Sequence, residues 1–567
     1  MAFIPVPSAS FFSADEVTII KQRNQEFEKA FQARQHMIEG ASSSSAKEEG
    51  SKGHTSLPLV YVRVRPLSQS EKKGGATFMK DLRLDTKIAN TNMGSSSSSG
   101  GGSTSADESE GGNGVAALGK SEKRREELGG FAGVFGPNSD NEGVYGSTIL
   151  PLLPTTLQGG TVNLFCFGHT GTGKTHTMLG YGSERGLFEK AATTILERLN
   201  EINEKERLGA NHALFLAVRF TELHLDRVYD LINNRSECTL RESSDGTLHI
   251  RDAHTEKTRE GRVYAKDQTS VEIRDIPSLL DLLRVCTKRR VVGSSSIHDQ
   301  SSRSHAILEL EIVNAHLLSA RGELMEAEAE LHRVGKLSDD MIIAMTKDLA
   351  DIKQEPGQGF TVKCKCETGE MTKEEWVSKH EQLTRDAVFY VEESAKHEMK
   401  VKAVKERIQQ IVESGPPSLC GRFLTIDLAG NDYDKRDLSQ TSPAEKREST
   451  AINKDLLAVK EVLRGIVQKA AKLPFRNSKL TRLLKSSLSP SLPTSSSASS
   501  AASTATTRCS ATVMLGTVSP STSSENQTVN TLRYCQMATA KGEKGGSAGG
   551  GVRGKRSALP PPKSRRA

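Results

Sequence analysis

The sequence has little of the apolar material that builds a large compact core. Aromatic residues make up 5% of its 567 residues, hydrophobic residues make up 35%, and there is one tryptophan. At roughly 150 residues per domain the length alone suggests three or four domains. The low apolar fraction instead predicts that a good part of the chain lies outside any core. No run approaches the roughly 18 apolar residues of a membrane-spanning helix, so no such span is expected.

Close cysteine pairs and a broadly distributed positive charge are also missing. Of eight cysteines, only Cys364 and Cys366 lie close together, at a spacing that fits neither a zinc knuckle nor a redox motif. We therefore expect free thiols in a reducing, intracellular protein. The net charge of +7 belongs to residues 541–567, which carry eight basic residues and one acid. Residues 1–540 are neutral, which does not fit a uniformly basic nucleic-acid binder.

Short apolar runs predict an α/β sheet. Residues 57–66, 162–167 and 422–427 read as strands, and they alternate with stretches of helical periodicity. We expect one domain over residues 57–540 with large insertions, because Ser/Gly-rich tracts cannot pack a core. The segments predicted to be disordered are a loop over 85–125, a Ser-rich loop over 488–508 and the basic tail over 541–567.

Helical patterning predicts two further elements. The polar N-terminal extension, residues 1–56, contains a helix candidate over Ala14–Glu39. Residues 314–418 are charged and almost continuously helical in pattern, with a break at Glu355-Pro-Gly-Gln-Gly. We expect a helical hairpin that projects from the domain. Its apolar repeat is too irregular for a long dimeric coiled coil.

A phosphate-binding loop is the strongest motif. Residues 168–175, Gly-His-Thr-Gly-Thr-Gly-Lys-Thr, follow a buried-type strand and open a helix, which is the context that a P-loop requires. The glycines allow successive backbone N–H groups to face the β-phosphate. Lys174 is expected to bridge the β- and γ-phosphates, and the Thr175 hydroxyl to ligate Mg²⁺.

Two other motifs provide groups that a P-loop enzyme needs near the γ-phosphate. Asp427-Leu-Ala-Gly430 ends an apolar strand, where an acid is placed to hold Mg²⁺ and a glycine amide to contact the γ-phosphate. Ser301-Ser-Arg-Ser-His305 supplies hydroxyls and an arginine just before another strand. Each of these motifs alone is equally typical of an ordinary polar turn.

Together the motifs resemble a kinesin motor domain. Ser301–His305 matches the switch I segment of that family and Asp427–Gly430 matches its switch II. Further matches, in the family's order, are Arg63-Val-Arg65-Pro66, Val134-Phe-Gly-Pro137, Ile452-Asn-Lys454, Ser478-Lys-Leu-Thr-Arg482 and Thr531-Leu-Arg-Tyr534. The resemblance spans about residues 57–540. It implies a P-loop NTPase with a central, mostly parallel twisted sheet flanked by helices.

The resemblance also implies roles for single residues. Arg63, Arg65 and Pro66 would border the adenine of ATP, and His176 would stack on it. Ser301 and Ser302 would close over Mg²⁺ and the γ-phosphate, with Thr175, Ser302 and Asp427 as the metal-binding set. Arg303 would pair with the acid of switch II, Asp432, beside Gly430. The residues implied around the phosphates are Gly168, His169, Thr170, Gly171, Thr172, Gly173, Lys174 and Thr175.

Several positions depart from the family pattern. Asp432 stands where the family has glutamate, and its side chain is one methylene shorter, which matters for an arginine–carboxylate bridge. His298 replaces an asparagine of switch I, Phe167 replaces a tyrosine, and His169 replaces a glutamine. We expect slow but real hydrolysis of ATP. The sequence has no Asn-Lys-x-Asp motif for guanine, so ATP is favoured over GTP.

The expected partner is the microtubule, and the expected location is the cytoplasmic cytoskeleton. In the family the face after switch II and around Ser478–Arg482 binds microtubules, which here implies Lys435, Arg436, Lys454, Lys472, Arg476 and Lys479. A basic face binds an acidic polymer by screened attraction, but charge runs are usually solvated surface. The basic tail is compatible with a tether or with nuclear import.

Alternatives remain open at this point. Asn431 and the enlarged loop 85–125 favour the microtubule-depolymerising branch, although that branch's Lys-Val-Asp finger is absent. Asp432, His298 and the insertion suit a nucleotide-binding scaffold that docks on microtubules without stepping. A P-loop ATPase acting on nucleic acid is disfavoured by the switch motifs and the neutral core. Oligomeric state and direction of movement are not encoded in any motif found.

Overall fold

The computed structural model describes residues 13–42, 57–73, 75, 77, 79, 83–84, 114–118, 126–242, 248–257, 263–291, 303–348, 351–355, 359–363, 372–430, 443–470, 472–488 and 510–539. The strands are β1 Leu59–Val64, β2 Arg83–Leu84, β3 Gly114–Leu118, β4 Glu126–Phe131, β5 Gly133–Phe135, β6 Thr161–Phe167, β7 Gly180–Tyr181, β8 Glu184–Arg185, β9 Phe215–His224, β10 Arg227–Asp230, β11 Ser236–Glu242, β12 Leu248–Lys257, β13 Val263–Asp267, β14 Val271–Ile273, β15 His305–Val313, β16 Asp351–Glu355, β17 Gly359–Lys363, β18 Arg422–Asp427 and β19 Ser510–Val518. The helices are α1 Ala14–Ser42, α2 Gln69–Lys73, α3 Asn141–Thr148, α4 Leu153–Leu157, α5 Lys174–Leu179, α6 Leu187–Lys205, α7 Ile276–Val291, α8 Ala315–Asp348, α9 Lys373–Ser414, α10 Pro443–Val467, α11 Lys479–Leu483, α12 Lys485–Leu488 and α13 Glu525–Met537.

One large mixed sheet organises the domain. Its strand order is β13-β12-β11-β10-β9-β15-β18-β6-β19-β1-β5, and β14 pairs with β9 outside this path. Strands β18, β6, β19, β1 and β5 pair in parallel, whereas β9 to β15 pair antiparallel. The parallel part carries the P-loop strand, so the predicted P-loop α/β fold is confirmed, with an antiparallel wing added to it.

Strand β6 shows why this sheet is covered on both faces. Its side chains alternate between two hydrophobic clusters, with Leu164 and Cys166 in one, and Phe165 and Phe167 in the other. The first cluster is covered by α6 and the second by α10 and α13. Apart from Thr161 and Asn163, β6 is apolar on both faces, which is typical of a strand in the middle of a parallel sheet.

The ends of four strands meet at one edge of the sheet. Asp427 at the end of β18 lies in register with Cys166 of β6 and with Ala306 of β15, and Cys166 in turn with Leu515 of β19. The carboxyl ends of β6, β18 and β19 therefore adjoin the start of β15. Ligand sites in α/β sheets form at this kind of edge.

The predicted helical hairpin is confirmed. Helices α8 and α9 run antiparallel and are joined through the small sheet β16–β17, which lies where the Glu355-Pro-Gly-Gln-Gly break was noted. The insertion leaves the main sheet after Val313 and returns before Arg422. Val313 and Arg422 are at the opposite ends of β15 and β18 from His305 and Asp427. The hairpin therefore projects from the sheet edge that is farther from the P-loop, and the length of the strands separates the two edges by roughly 17 Å.

The predicted N-terminal helix packs on this hairpin. Phe27 of α1 is buried with Met345 of α8 and Ala387 of α9. Arg34 binds Asp339 at 3.2 Å and Glu398 at 3.3 Å, so one guanidinium of α1 joins both arms. We call α1, α8 and α9 the insertion bundle.

The predicted disordered tracts lie mostly outside the described residues. Strand β3 is the exception: it falls within 85–125 and pairs with β2 and β4, so these five residues form a strand and not a loop. Among the helices that the structure describes, none is long and apolar enough to cross a membrane.

Candidate functional site

The P-loop connects β6 to α5 and depends on three glycines. Gly171 and Gly173 have φ values of +77° and +92°, which L side chains rarely adopt. Gly168 has an ordinary φ, but a Cβ there would lie 2.3 Å from the Thr517 carbonyl oxygen of β19. The glycines that the motif analysis singled out are therefore needed for backbone shape and for close approach to the next strand.

The Lys174 ammonium group is inside this loop. Its side chain is buried, and Nζ donates to the carbonyl oxygens of Gly168 at 2.9 Å and His169 at 3.1 Å. Thr172 donates to the His169 carbonyl at 2.8 Å and shares a hydrogen bond with Thr517. A buried cation held by carbonyl oxygens within a glycine loop is well placed to bind phosphate oxygens.

Asp427 and Thr175 form the candidate Mg²⁺ site. Thr175 Oγ1 donates to Asp427 Oδ2 at 3.4 Å, so a strand end and a helix start are joined. Asp427 Oδ1 is buried and has no hydrogen-bond partner among the described residues. An oxygen-rich position with an unsatisfied carboxylate oxygen fits a hard cation. Ser302, the third expected ligand, and Ser301 lie outside the described residues.

Arg290 is a site residue that the sequence analysis missed. Its guanidinium, which is 2% exposed, donates to Asp427 Oδ2 at 2.9 Å and to the Ser304 carbonyl at 2.8 Å. It comes from the end of α7, where three basic residues occur in a row. The neighbouring Arg289 instead donates to the carbonyls of Leu231 and Ile232. The basic run was visible in the sequence, but which arginine reaches the acid depends on the end of the helix.

Gly430 joins switch II to the P-loop. A Cβ at this position would lie 2.4 Å from Thr170 Oγ1 and 3.0 Å from the Thr170 backbone nitrogen. The two segments expected to contact the γ-phosphate therefore pack directly against each other, at a distance that only glycine allows.

Arg303 contacts an acid that the sequence analysis did not assign. Nη1 donates to Glu448 Oε2 of α10 at 2.6 Å, and the other oxygen of Glu448 bonds to His224 Nε2 at 2.8 Å. Burial raises the pKa of Glu448, but its hydrogen bonds from His224 and Arg303 outweigh this and hold it below the usual value. Asp432 lies outside the described residues, so its pairing with Arg303 stays a prediction.

His305 connects the start of β15 to switch II. Its Nδ1 accepts a hydrogen bond from the Ala429 N–H at 3.0 Å, which places the ring proton on Nε2. Complete burial, together with the nearby charges of Arg290 and Lys174, lowers the pKa of His305 to about 3. The imidazole is therefore neutral at physiological pH.

The residues expected around adenine divide into a buried and an exposed set. Arg63 is buried and donates to Asn141, Thr177 and the Ser139 carbonyl, which ties β1 to α3 and α5. His176 is partly exposed and pairs with Glu184 at 3.2 Å. Arg63 thus holds together the elements on either side of the P-loop. His176 remains accessible for stacking on a base.

Arg65 braces the P-loop from the outside. Nε donates to the Gly171 carbonyl at 2.7 Å, and the two terminal nitrogens bind Glu71 at 2.7 Å each. The hydrogen bonds from Arg65 hold the pKa of Glu71 down at about 2. Pro66 follows on the exposed surface. The bidentate pair with Glu71 orients the Arg65 guanidinium, whose Nε in turn holds the carbonyl of Gly171, the loop's second glycine.

The expected partner face is partly neutralised by the chain's own acids. Lys454, Lys472 and Arg476 are exposed, while Lys479 pairs with Asp226 at 3.5 Å. Glu242 of β11 lies within 4 Å of three cations: Arg476, Arg482 and Lys485. Lys435 and Arg436 lie outside the described residues.

Comparison with known proteins agrees with this geometry. The family model of the kinesin motor domain matches residues 63–338 and 384–540, and the unmatched segment runs from within α8 to within α9. Kinesin-like protein KIF24 of Mus musculus is 25% identical over 406 residues, which cover 71% of this chain and 20% of that protein. Kinesin-like protein KIN-13B of Arabidopsis thaliana is 24% identical over 404 residues, covering 71% of this chain and 39% of that protein.

The motor domain of the Kar3-like kinesin from Ashbya gossypii superposes with a TM-score of 0.47 at 16% identity, covering 85% of this chain and 99% of that one. The chain spans about a fifth of the length of the KIF24 relative and about two fifths of KIN-13B. The family model matches well over half of the residues. The chain therefore belongs to the kinesin motor domain family.

Proposed function

We propose that this chain is a microtubule-activated ATP hydrolase that couples hydrolysis to microtubule-based movement or to remodelling of microtubule ends. The observation that carries the proposal is the convergence at Asp427. Its carboxylate lies 3.4 Å from the P-loop hydroxyl of Thr175 and 2.9 Å from Arg290, and its Oδ1 has no hydrogen-bond partner within the described part of the chain. The P-loop thus meets switch II at this acid, and Arg290 links the acid to the Ser304 carbonyl of switch I.

The residues present fit ATP with Mg²⁺. Lys174 would hold the β- and γ-phosphates, while Thr175 and Asp427, with Ser302, would hold the metal, which supplies charge neutralisation when bound. The Gly430 N–H and Arg303 would orient the γ-phosphate of ATP. Positioning and electrostatic stabilisation then provide catalysis without covalent chemistry.

The proposed partner surface follows from the exposed cations of α10 and of the segment before α11. Lys454, Lys472 and Arg476 lie exposed there, and we add Lys479, Lys435 and Arg436 from the family pattern. Attraction between this surface and an acidic polymer is screened by salt, so binding should weaken steeply between 50 and 200 mM salt, on the order of tenfold or more. We place the protein at the microtubules of the cytoplasm.

The decisive experiment measures ATP turnover with and without microtubules. We expect slow turnover that microtubules stimulate at least tenfold. The Asp432→Glu variant, which lengthens the acid by one methylene, should raise stimulated turnover further. Turnover that stays undetectable with saturating microtubules, in a protein that binds ATP, would overturn the proposed hydrolase.

A nucleotide-binding scaffold is the second candidate, and one contact favours it. Arg303 is held by Glu448 on α10, at 2.6 Å, which competes with its assumed pairing to Asp432. A scaffold would bind ATP and microtubules but show no stimulated turnover, and Asp432→Glu would not restore it. The same assay therefore separates the two candidates.

The branch within the family needs its own measurement. The matches to KIF24 and KIN-13B agree with the proposed lean toward the depolymerising branch, while KIN-14J of Oryza sativa subsp. japonica and KIN-8B of Arabidopsis thaliana match at 23% and 24% identity. Stabilised microtubules imaged with this protein and ATP should shorten from their ends if the lean is right. Gliding at constant length would assign the chain to a motile branch.

A further inference from the structure

Asp455 is a carboxylate buried where three elements meet. It lies on α10, is 9% exposed, and is flanked by Leu456 and Val459, which belong to the apolar cluster under this helix. None of the motifs assigned to nucleotide or partner binding includes it. A buried acid with no assigned role raises the question of what it contacts.

On one side Asp455 contacts the partner-facing segment. The Ser478 hydroxyl lies close enough to this carboxyl group to lower its pKa. Ser478 is also the N-cap of α11, since its side chain accepts from the Thr481 N–H at 3.1 Å. The next residue, Lys479, pairs with Asp226, and the charge of Asp226 in turn acts on Asp455.

On the other side Asp455 faces the switches through His305. Asp455 Oδ2 is 3.8 Å from His305 Nε2, a nitrogen that is buried and has no hydrogen-bond partner among the described residues. The opposite ring nitrogen accepts from the Ala429 N–H, beside Gly430. A hydrogen bond requires about 3.2 Å or less, so a movement of α10 by less than 1 Å would close the gap.

We propose that Asp455 is a positioning residue that couples the partner-facing segment at Ser478 to switch II at Ala429 through the His305 imidazole. When α10 moves toward β15, the carboxylate accepts a hydrogen bond from the Nε2–H of His305, and the ring holds Ala429 and Gly430 against Thr170. When α10 moves away, the gap opens and switch II is released. The identity of the partner, a microtubule, rests on the proposed function.

The coupling role explains why position 455 is a carboxylate, whereas packing alone does not. Burial, the largest influence, raises its pKa to about 6, while Ser478 and Lys454 act in the opposite direction and Asp226 adds to the increase. The ionised form is thus disfavoured by the fold, yet it predominates at physiological pH. Asparagine would fill nearly the same volume without that cost, so packing alone does not require a carboxylate.

The proposal makes nucleotide retention depend on the ionisation of Asp455. Above about pH 6 the carboxylate is charged and can hold His305; below it the neutral acid is a weak acceptor. The groups that face Asp455 are His305 from β15, Ser478 before α11, Asp226 from the β9–β10 turn and Lys454 from α10 itself. With His305 neutral down to about pH 3, Asp455 is the group among these whose charge changes near pH 6.

The test compares the full-length wild-type chain with Asp455→Asn in the release of a fluorescent ADP analogue, without microtubules, at pH 7.5 and pH 5.5. We expect the variant to release ADP at least fivefold faster at pH 7.5. The difference should shrink toward twofold at pH 5.5, where the wild-type acid is mostly protonated. A purely structural role would give the same ratio at both pH values.

The matched control is Glu461→Gln, which neutralises an exposed acid of the same helix. Glu461 accepts from the Asn477 amide at 2.8 Å, so it contacts the same segment without facing His305. This variant should behave as wild type at both pH values. Melting temperatures of both variants verify that each is folded.

Microtubules supply the second readout. The ratio of stimulated to basal ATP turnover should fall at least fivefold in Asp455→Asn and remain unchanged in Glu461→Gln. A wild-type protein without stimulation would refute the proposed function, and the ADP-release comparison would still judge Asp455. Equal ADP release by wild type and Asp455→Asn at pH 7.5, or a pH-independent ratio, would overturn the coupling role.

Discussion

The Arg303 guanidinium donates to the Glu448 carboxylate at 2.6 Å, and this pair joins the segment before β15 to helix α10. Glu448 also holds His224 at 2.8 Å, so both of its oxygens are occupied. An arginine whose family role is to meet an acid of switch II is therefore held by the following helix. Whatever moves α10 also moves the partner of Arg303.

Releasing Arg303 from Glu448 should speed hydrolysis. In Glu448→Gln the ion pair becomes a hydrogen bond from the charged guanidinium to a neutral amide oxygen, which is weaker because the carboxylate charge is gone. Arg303 then becomes free to pair with Asp432. We expect basal ATP turnover to rise about threefold to tenfold, measured by phosphate release. Glu461→Gln on the same helix is the control. A fall in turnover would show instead that Glu448 itself supports the active arrangement.

A methyl group at Gly430 should uncouple switch II from the P-loop. The Cβ of Gly430→Ala would meet Thr170 Oγ1 at 2.4 Å and the Thr170 nitrogen at 3.0 Å, so the Thr170 side chain must rotate and its backbone must shift by a few tenths of an ångström. We expect ATP turnover to fall at least tenfold, about 1.4 kcal/mol in activation free energy, in a protein that remains folded.

Gly322→Ala is the control for that substitution. Gly322 lies within α8, and beyond the helix's own backbone no atom of the described residues lies within 4 Å of the position that a Cβ would take. Alanine there should stabilise the helix by about 0.5–1 kcal/mol and leave turnover unchanged. Equal turnover in Gly430→Ala and wild type would refute the close packing of switch II on Thr170.

Destabilising the insertion bundle should leave nucleotide binding unchanged. Phe27→Ala removes a ring buried with Met345 and Ala387 and should destabilise the bundle by about 3 kcal/mol. Because the bundle projects from the opposite edge of the sheet, ATP affinity should not change. Limited proteolysis should cut α8 and α9 earlier in the variant, while titration calorimetry gives the wild-type Kd.

Ile19→Ala is the matched substitution on the same helix. Ile19 is 46% exposed, so its truncation should cost no more than about 0.5 kcal/mol. Reduced ATP affinity in Phe27→Ala but not in Ile19→Ala would show that the bundle communicates with the P-loop, against our expectation.

The raised pKa of Asp455 should make the free energy of unfolding depend on pH. Its native pKa of about 6 lies above the value near 3.8 in an unfolded chain, so the native state binds the proton more tightly. The stability that this group contributes is present at low pH and is lost as pH rises through about 6. Asp455→Asn should therefore stabilise the protein at pH 7.5, by on the order of 3 kcal/mol.

Urea unfolding at several pH values measures this effect. The advantage of Asp455→Asn should decrease as the pH falls below 6, because the wild-type carboxyl group is then protonated in the native state. A variant less stable than wild type at pH 7.5 would mean that the ionised carboxylate stabilises the fold, contrary to its burial.

Local sequence patterns were sufficient for the elements whose chemistry is local. The P-loop could be recognised because glycines at 171 and 173 serve left-handed backbone and Lys174 and Thr175 open the helix, all within eight residues. The hairpin over 314–418 and the helix from Ala14 were visible because helical periodicity repeats along each segment. The family followed from the order of such motifs along the chain.

Contacts between distant segments were not available from the sequence. Arg290 and Asp427 are far apart in the chain, and nothing in the basic run at the end of α7 marks which arginine is buried against the acid. Glu448 and Asp455 lie in a helix rich in charged residues, where a solvated face is the ordinary reading of each. The register of β6, β15 and β18 sets where their ends fall, and that register results from packing on both faces of the sheet.

The sequence by itself determined the family, the phosphate-binding loop and the presence of a helical insertion, because each is specified by residues that are neighbours in the chain. Only the tertiary structure decided which partner Arg303 has, which arginine reaches Asp427, and that Asp455 faces His305 across 3.8 Å. The physical reason is that burial and charge pairing depend on which helix ends and strand ends the sheet brings to one edge.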